Sequence, residues 1–148
     1  MPFAYQVTVD STDPHTQAIW WAETMDWRVE PTQEDFIRRM IAEGQATESD
    51  TIVFRDQLWW REGAAIVHPD GADAGIGYRI LFQSVPEPRT AKNRLHLDLR
   101  VPADQFETTV ARLAERGATE SYRRERGPFS WTTMTDPEGN EFCVTRAL

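Results

Sequence analysis

Hydrophobic and polar residues alternate with period two along three short stretches. In Gln6-Val7-Thr8-Val9-Asp10, Val7 and Val9 oppose Gln6 and Thr8. In Leu95-His96-Leu97-Asp98-Leu99, the three leucines oppose His96 and Asp98. In Glu141-Phe142-Cys143-Val144, Phe142 and Val144 oppose Glu141 and Cys143. Successive strand side chains point to opposite faces, so each stretch predicts a strand with one apolar side and one chemically active side. Further strand-like runs span 51–54, 58–67, 76–83, 119–124 and 129–134. In the run at 76–83, Gln83 shares a face with Arg79 and Leu81.

Two amphipathic helices follow the first two alternating strands. Asp13-Pro14 supplies a capping side chain and a proline at the first helical position, ahead of Ala18, Ile19, Trp21, Ala22 and Met25. After Pro102, a second helix carries Phe106, Val110, Leu113 and Ala114 and stops at Gly117. Each half of the chain thus reads strand–helix–strand–strand–strand. A proline-bearing connector, Val85-Pro86-Glu87-Pro88-Arg89-Thr90, separates them. The first half carries an extra helix over about 31–44, with Thr32 as its cap, Phe36, Ile37, Met40 and Ile41 on its apolar face and Gly44 at its end. The stretch from Pro69 to Asp73 reads as a hairpin loop, and Asp136-Pro137-Glu138-Gly139 as a tight turn feeding the last strand.

The predicted architecture is α+β and a single domain over 1–148. It consists of two βαβββ modules, about 3–85 and about 92–148, curled as a mixed sheet around one cavity with the helices outside.

Charge and cysteine content narrow the function. Twenty-four Asp and Glu stand against 16 Lys and Arg, a net charge of −8, the wrong sign for a phosphate backbone. Nucleic acid is therefore not expected as a partner, and Arg123-Arg124-Glu125-Arg126 reads as a solvated loop or a local anion patch. The overall field favours cationic ligands. No apolar run reaches the roughly 20 residues of a membrane span, and no signal peptide is evident. A cytoplasmic location is expected, consistent with the single cysteine, Cys143.

Six tryptophans are the other compositional signal. Trp21, Trp27 and Trp131 read as core. In Trp20-Trp21 and Trp59-Trp60, one ring of each pair is expected inside and the other outside. Trp59 or Trp60 is a candidate wall of a ligand site or a dimer contact.

The quoted motifs bring a resemblance with them. Lys92-Asn93-Arg94-Leu95-His96-Leu97-Asp98-Leu99, Arg116-Gly117-Ala118 and Asp136-Pro137-Glu138-Gly139-Asn140-Glu141-Phe142-Cys143 resemble the vicinal oxygen chelate superfamily, the glyoxalase, bleomycin-resistance and dioxygenase group. More narrowly they resemble the glyoxalase-like proteins common in actinobacteria. The resemblance implies four metal positions, which fall on Gln6, Gln83, His96 and Cys143. The fourth is a glutamate in metal-dependent relatives, and here it is Cys143. Glu141 lies two residues earlier on the same face.

A Gln, Gln, His, Cys set suits magnesium or manganese poorly, so no tight metal is expected and weak zinc is the alternative. Without a metal, His96 is the candidate general base, because histidine titrates near neutrality. By strand spacing Asp98 would lie about 7 Å from it, in reach of a longer-range orienting contact. The candidate ligand-binding residues are Gln6, Gln83, His96, Asp98, Glu141, Cys143, Trp59 and Trp60.

Two functions follow from the resemblance. One is a lyase or isomerase acting on a small carbonyl or oxygenated metabolite. The other is a non-catalytic small-molecule binder of the bleomycin-resistance type. A dioxygenase is disfavoured, because its iron needs two histidines and a carboxylate, and His15 and His68 fall at a helix start and a strand end. A homodimer is expected.

Overall fold

A computed structural model describes residues 3–75 and 77–147. The chain is mixed α+β. It divides into two compact units, Met1–Glu87 and Pro88–Leu148, with the boundary inside the proline-bearing connector.

The first unit contains strand β1 (Val7–Ser11), helix α1 (Pro14–Met25), β2 (Arg28–Val29), α2 (Glu34–Ala42), β3 (Thr51–Phe54), β4 (Gln57–Trp60), β5 (Gly63–Val67) and β6 (Arg79–Ser84). Its main sheet has the order β1-β6-β5-β2, with β1 parallel to β6 and the other pairs antiparallel. Asp13 caps α1 through Thr16 N–H, and Pro14 occupies the first turn, as the sequence predicts. The sheet turns Ile80 and Phe82, both almost fully buried, toward this helix.

The second unit contains β7 (Asp98–Val101), α3 (Phe106–Glu115), β8 (Thr119–Arg126), β9 (Phe129–Thr135) and β10 (Glu141–Arg146). Its order is β7-β10-β9-β8, again with one parallel pair, β7 and β10. The two orders are equivalent: in each, the strand before the helix pairs with the last strand. Phe142, Val144, Thr132 and Met134 make the covered face with Phe106, Val110 and Leu113 of α3. Gly117, at φ 100°, lets the chain leave α3 and turn back toward β8.

Several expectations are corrected. The run at 58–67 is two strands in different sheets, because the chain turns at Arg61-Glu62. The short β2 takes the vacated place at the edge of the main sheet. The extra piece of the first half is therefore larger than one helix, since the β3–β4 hairpin belongs to it with α2. Thr32 does not cap α2. Its hydroxyl donates to the carbonyl of Leu58 at 2.5 Å, tying the insertion's helix entry to its hairpin. Trp20 and Trp21 are both buried, edge to face at 5.1 Å, so neither is the outward ring. Leu95 is 88% exposed, because regular pairing of that strand starts only near Leu97, whose carbonyl accepts from Cys143 N–H. Ile76, the first residue of one predicted strand, lies outside the described residues.

Candidate functional site

The site is built on the face of the second sheet that α3 leaves open; on it His96 and Asp98 are exposed, and Cys143 and Thr133 are buried. Register places Asp98, Cys143, Thr133 and Tyr122 in one row across its four strands. The next row is Arg100, Thr145, Trp131 and Arg124. The side opposite α3 therefore carries polar and aromatic side chains, as the alternation of His96-Leu97-Asp98 and Glu141-Phe142-Cys143 implies.

His96 stands just ahead of β7 and is partly exposed. Its Nδ1 lies 2.9 Å from Asp98 Oδ1. The spacing of about 7 Å applies to the backbone. The two side chains lean toward each other and close it, so the orienting contact is direct. Cys143 lies beside them: one ligand atom from each of His96, Asp98 and Cys143 falls within 4.8 Å of the others. Its Sγ is 3.5 Å from Thr133 Oγ1. Burial pushes the Cys143 thiol up, and the charge of Asp98 adds to this. A hydrogen bond from Thr133 and the charge of Lys92 oppose it with less effect. Cys143 is a thiol at neutral pH, which argues against a nucleophilic role.

The turn and strand around Glu141 hold the entry to this site. Asp136, buried, accepts from Glu138 N–H at 3.0 Å and Asn140 N–H at 2.9 Å. Gly139 adopts φ 87°, which the turn requires. Asn140 Oδ1 then accepts from Asn93 Nδ2 at 2.9 Å. Glu141 accepts from Asn93 N–H at 3.0 Å and pairs with Arg89. Residues 89 to 93 are thus clasped to the last strand, which fixes the lead-in to His96. Glu141 shares the face of Cys143, as the alternation requires, and its carboxylate is engaged in this clasp.

The remaining candidates lie in the first unit. Gln6 precedes β1, and its Oε1 accepts from Arg79 at 2.7 Å. Arg79 is also held by both oxygens of Glu30. Gln83 is half-buried on β6, opposite Asp10 and Gly63. Trp59 and Trp60 are half-buried in the insertion hairpin: Trp59 packs edge-on against His15 at 5.7 Å, and Trp60 against Phe36 at 6.5 Å. Both rings make packing contacts inside the first unit.

Thr133, Tyr122, Arg100 and Arg124 are not singled out for the site by the sequence, and Trp131 reads there as core. Alternation from Asp98 could have found Arg100; the signal for the others is the register, which sets Thr133 and Tyr122 in the row of Cys143 and Trp131 and Arg124 in the next.

The family resemblance implies a divalent metal. His96, Asp98 and Cys143 offer one imidazole, one carboxylate already bonded to that imidazole, and one protonated thiol. A hard ion such as manganese prefers several oxygens, so this set does not fit it. Zinc accepts imidazole and thiolate, but burial opposes the deprotonation it would need.

A model of the glyoxalase-like domain family matches residues 6–145. No curated protein matches the sequence. Among solved structures, the fosfomycin resistance protein FosX from Listeria monocytogenes, solved with Mn(II) and sulfate, superposes with a TM-score of 0.63 at 7% identity, covering 100% of this chain and 94% of that one. A glyoxalase/dioxygenase from Nostoc punctiforme gives 0.59 at 12% identity, covering 99% and 91%. TioX from Micromonospora sp. ML1 gives 0.54 at 15% identity, covering 99% and 100%. At these identities the structures speak for the fold alone.

Proposed function

The chain belongs to the glyoxalase-like domain family, within the vicinal oxygen chelate superfamily, and from that premise we propose that it is a lyase or isomerase moving a proton on a small carbonyl or oxygenated metabolite. The observation that supports this most is the His96–Asp98 pair at 2.9 Å, placed beside Cys143 on the open face of the second sheet.

With Asp98 accepting from Nδ1–H, the other nitrogen, Nε2, is the acceptor. It takes a proton from the carbon next to a carbonyl. The electron pair of that C–H bond moves into the carbonyl, giving an enolate. Where the deprotonated carbon carries a hydroxyl, that O–H proton passes to the former carbonyl oxygen, the abstracted proton returns to the former carbonyl carbon, and the carbonyl has moved by one carbon; alternatively, departure of a β-substituent with its bonding electron pair completes a lyase reaction. The Cys143 thiol, kept protonated and itself accepting from the Thr133 hydroxyl, is the hydrogen-bond donor beside the developing oxyanion. Asp98 orients the imidazole and stabilises the imidazolium.

The test is deuterium incorporation next to the carbonyl of a panel of small keto acids, ketones and aldehydes in D2O, followed by proton NMR. The reading expects exchange above buffer that disappears in His96→Ala. Equal exchange in wild type and His96→Ala across the panel contradicts it.

A second reading, a non-catalytic binder, is favoured by one observation: the cluster holds a single base and no donor set fit for a metal. Ligand-induced thermal stabilisation without exchange would select it. In either reading we place the protein in the cytoplasm as a homodimer. Among the described residues no helix is long and apolar enough to cross a membrane.

A further inference from the structure

The charges of the second unit are sorted by face. On β8, Glu120, Arg123 and Glu125 pair with Met134, Thr132 and Ser130, on the side of α3. There Arg123 is consumed by Glu107 and Glu120. The alternate positions, Tyr122, Arg124 and Arg126, pair with Thr133, Trp131 and Phe129 on the open face. The local β-bulge between Glu120 and Tyr122 sets this phase. Arg100 enters the same face from β7, two residues after Asp98. Lys92 is close enough to act on the Cys143 thiol.

The acids on that face are both engaged. Asp98 holds His96, and Glu141 holds Arg89 and Asn93 N–H. Arg100, Arg124 and Arg126 make no ion pair with any described residue. A chain of net charge −8 thus gathers unpaired guanidinium groups around its candidate site.

The row geometry adds shape. Arg124 and Arg100 stand at the two ends of a row whose middle members are Trp131 and Thr145. Three strand spacings, about 14 Å, separate their backbones. Two long, cationic side chains thus flank Trp131 and Thr145 in one row. Arg124 also lies over the Tyr122 ring at 5.2 Å, which holds it on this face. Half-buried Trp131 and exposed Tyr122 supply flat apolar surface next to the cations. Guanidinium forks and aromatic planes side by side match a planar molecule bearing a carboxylate.

Resting on the function proposed above, we propose that the ligand of this face is a small aromatic or conjugated carboxylate. Its acid group is held by Arg124 and Arg100, its plane lies against Trp131 and Tyr122, and its opposite end is presented to His96. This reverses the preference for cations that the overall charge suggests, because ligand choice follows the local field and not the sum.

The experiment is calorimetric titration of the whole protein with benzoate, salicylate and 1-naphthoate, each against its neutral amide, and with benzyltrimethylammonium. Wild type, Arg124→Gln, Arg100→Gln and His96→Ala are compared, with thermal melts of each. The proposal expects at least one acid to bind tenfold or more tightly than its amide. It expects that margin to fall at least fivefold in each arginine variant while the melting temperature is unchanged, and to shrink with added salt. Arg124→Lys should restore part of it. An amide or the cation binding as tightly as the acids in a His96-dependent way overturns the anion preference and leaves the site standing. Acid binding unaffected by His96→Ala but lost in the arginine variants keeps the anion preference and overturns the role of His96. Absence of binding by every acid overturns the proposal.

Discussion

His96 Nδ1 and Asp98 Oδ1 lie 2.9 Å apart, an i, i+2 pair on one face of an edge strand, at a point where both side chains remain reachable by solvent. Because both are exposed, the contact does little for stability. Its consequence is to fix which imidazole nitrogen is free.

Asp98→Asn should therefore separate the two effects. The amide can present either its oxygen or its NH2 group to Nδ1, so the tautomer is no longer enforced. Proton exchange on a carbonyl substrate should drop by about tenfold or more, within the range for general-base contributions. The unfolding free energy should change by less than about 0.5 kcal/mol. Denaturant melts and the exchange rate check the two halves. A large stability loss with unchanged exchange would make the pair structural.

Glu141 should behave oppositely. Its carboxylate is largely buried and accepts from both Arg89 and Asn93 N–H. Glu141→Ala leaves those donors without their acceptor and should cost about 1–3 kcal/mol. Urea unfolding measures this. A neutral outcome would show that the clasp is replaced by water.

His15 gives a pH dependence. It is buried, its Nε2 is 3.0 Å from the carbonyl oxygen of Trp60, and Phe54 and Trp59 pack on its ring. Desolvation by burial lowers its pKa, against smaller upward effects of the Trp60 carbonyl and Asp13. The unfolded chain therefore binds a proton that the folded chain refuses. The stability contribution is fully present above the ordinary histidine value of about 6.5 and is lost as pH falls from there toward the lowered folded value. Urea midpoints should fall between pH 7.5 and 5.5 in wild type and fall less in His15→Gln. Identical slopes would remove His15 as the cause.

Cys143 links the site to its metal-dependent relatives. As isolated, the protein should bind no divalent ion tightly, and Cys143→Glu should raise manganese and nickel affinity by supplying a carboxylate beside His96. Titration calorimetry decides it. Sub-micromolar affinity in the wild type that vanishes in His96→Ala would contradict the expectation. Because burial raises its pKa, the thiol should also react slowly with iodoacetamide at pH 7.

Assembly is open to the simplest check. A homodimer at micromolar concentration should scatter light with twice the mass of the 17.1 kDa chain. A monomer mass at high concentration would contradict it.

Much of this was legible in the sequence because local chemistry and tertiary context agree. Asp13-Pro14 announces α1 and does start it. Phe142 and Val144 face α3, while Cys143 faces away. The failures arise where residues play roles that other residues usually fill. The turn between β4 and β5 falls at Arg61-Glu62, which carries none of the Gly, Pro, Asn or Asp that mark turns, so the run 58–67 reads as one strand. At two residues, β2 is too short to show a period. Thr32 resembles a cap but is taken by Leu58 across the insertion. In the site, His96, Asp98 and Cys143 are legible from alternation, and Arg100 shares their face two residues after Asp98, while Tyr122, Trp131 and Arg124 are not, because the register between strands is invisible to alternation alone.

The central claim is that small molecules meet this protein at His96 on the open face of the second sheet. The chain has three histidines, so nitrogen NMR with labelled histidine reads each site separately. During titration with benzoate, salicylate or 1-naphthoate to saturation, the Nε2 resonance of His96 should move while those of His15 and His68 stay in place. Saturation with His96 unmoved, or with the change on His15 or His68, would contradict the account.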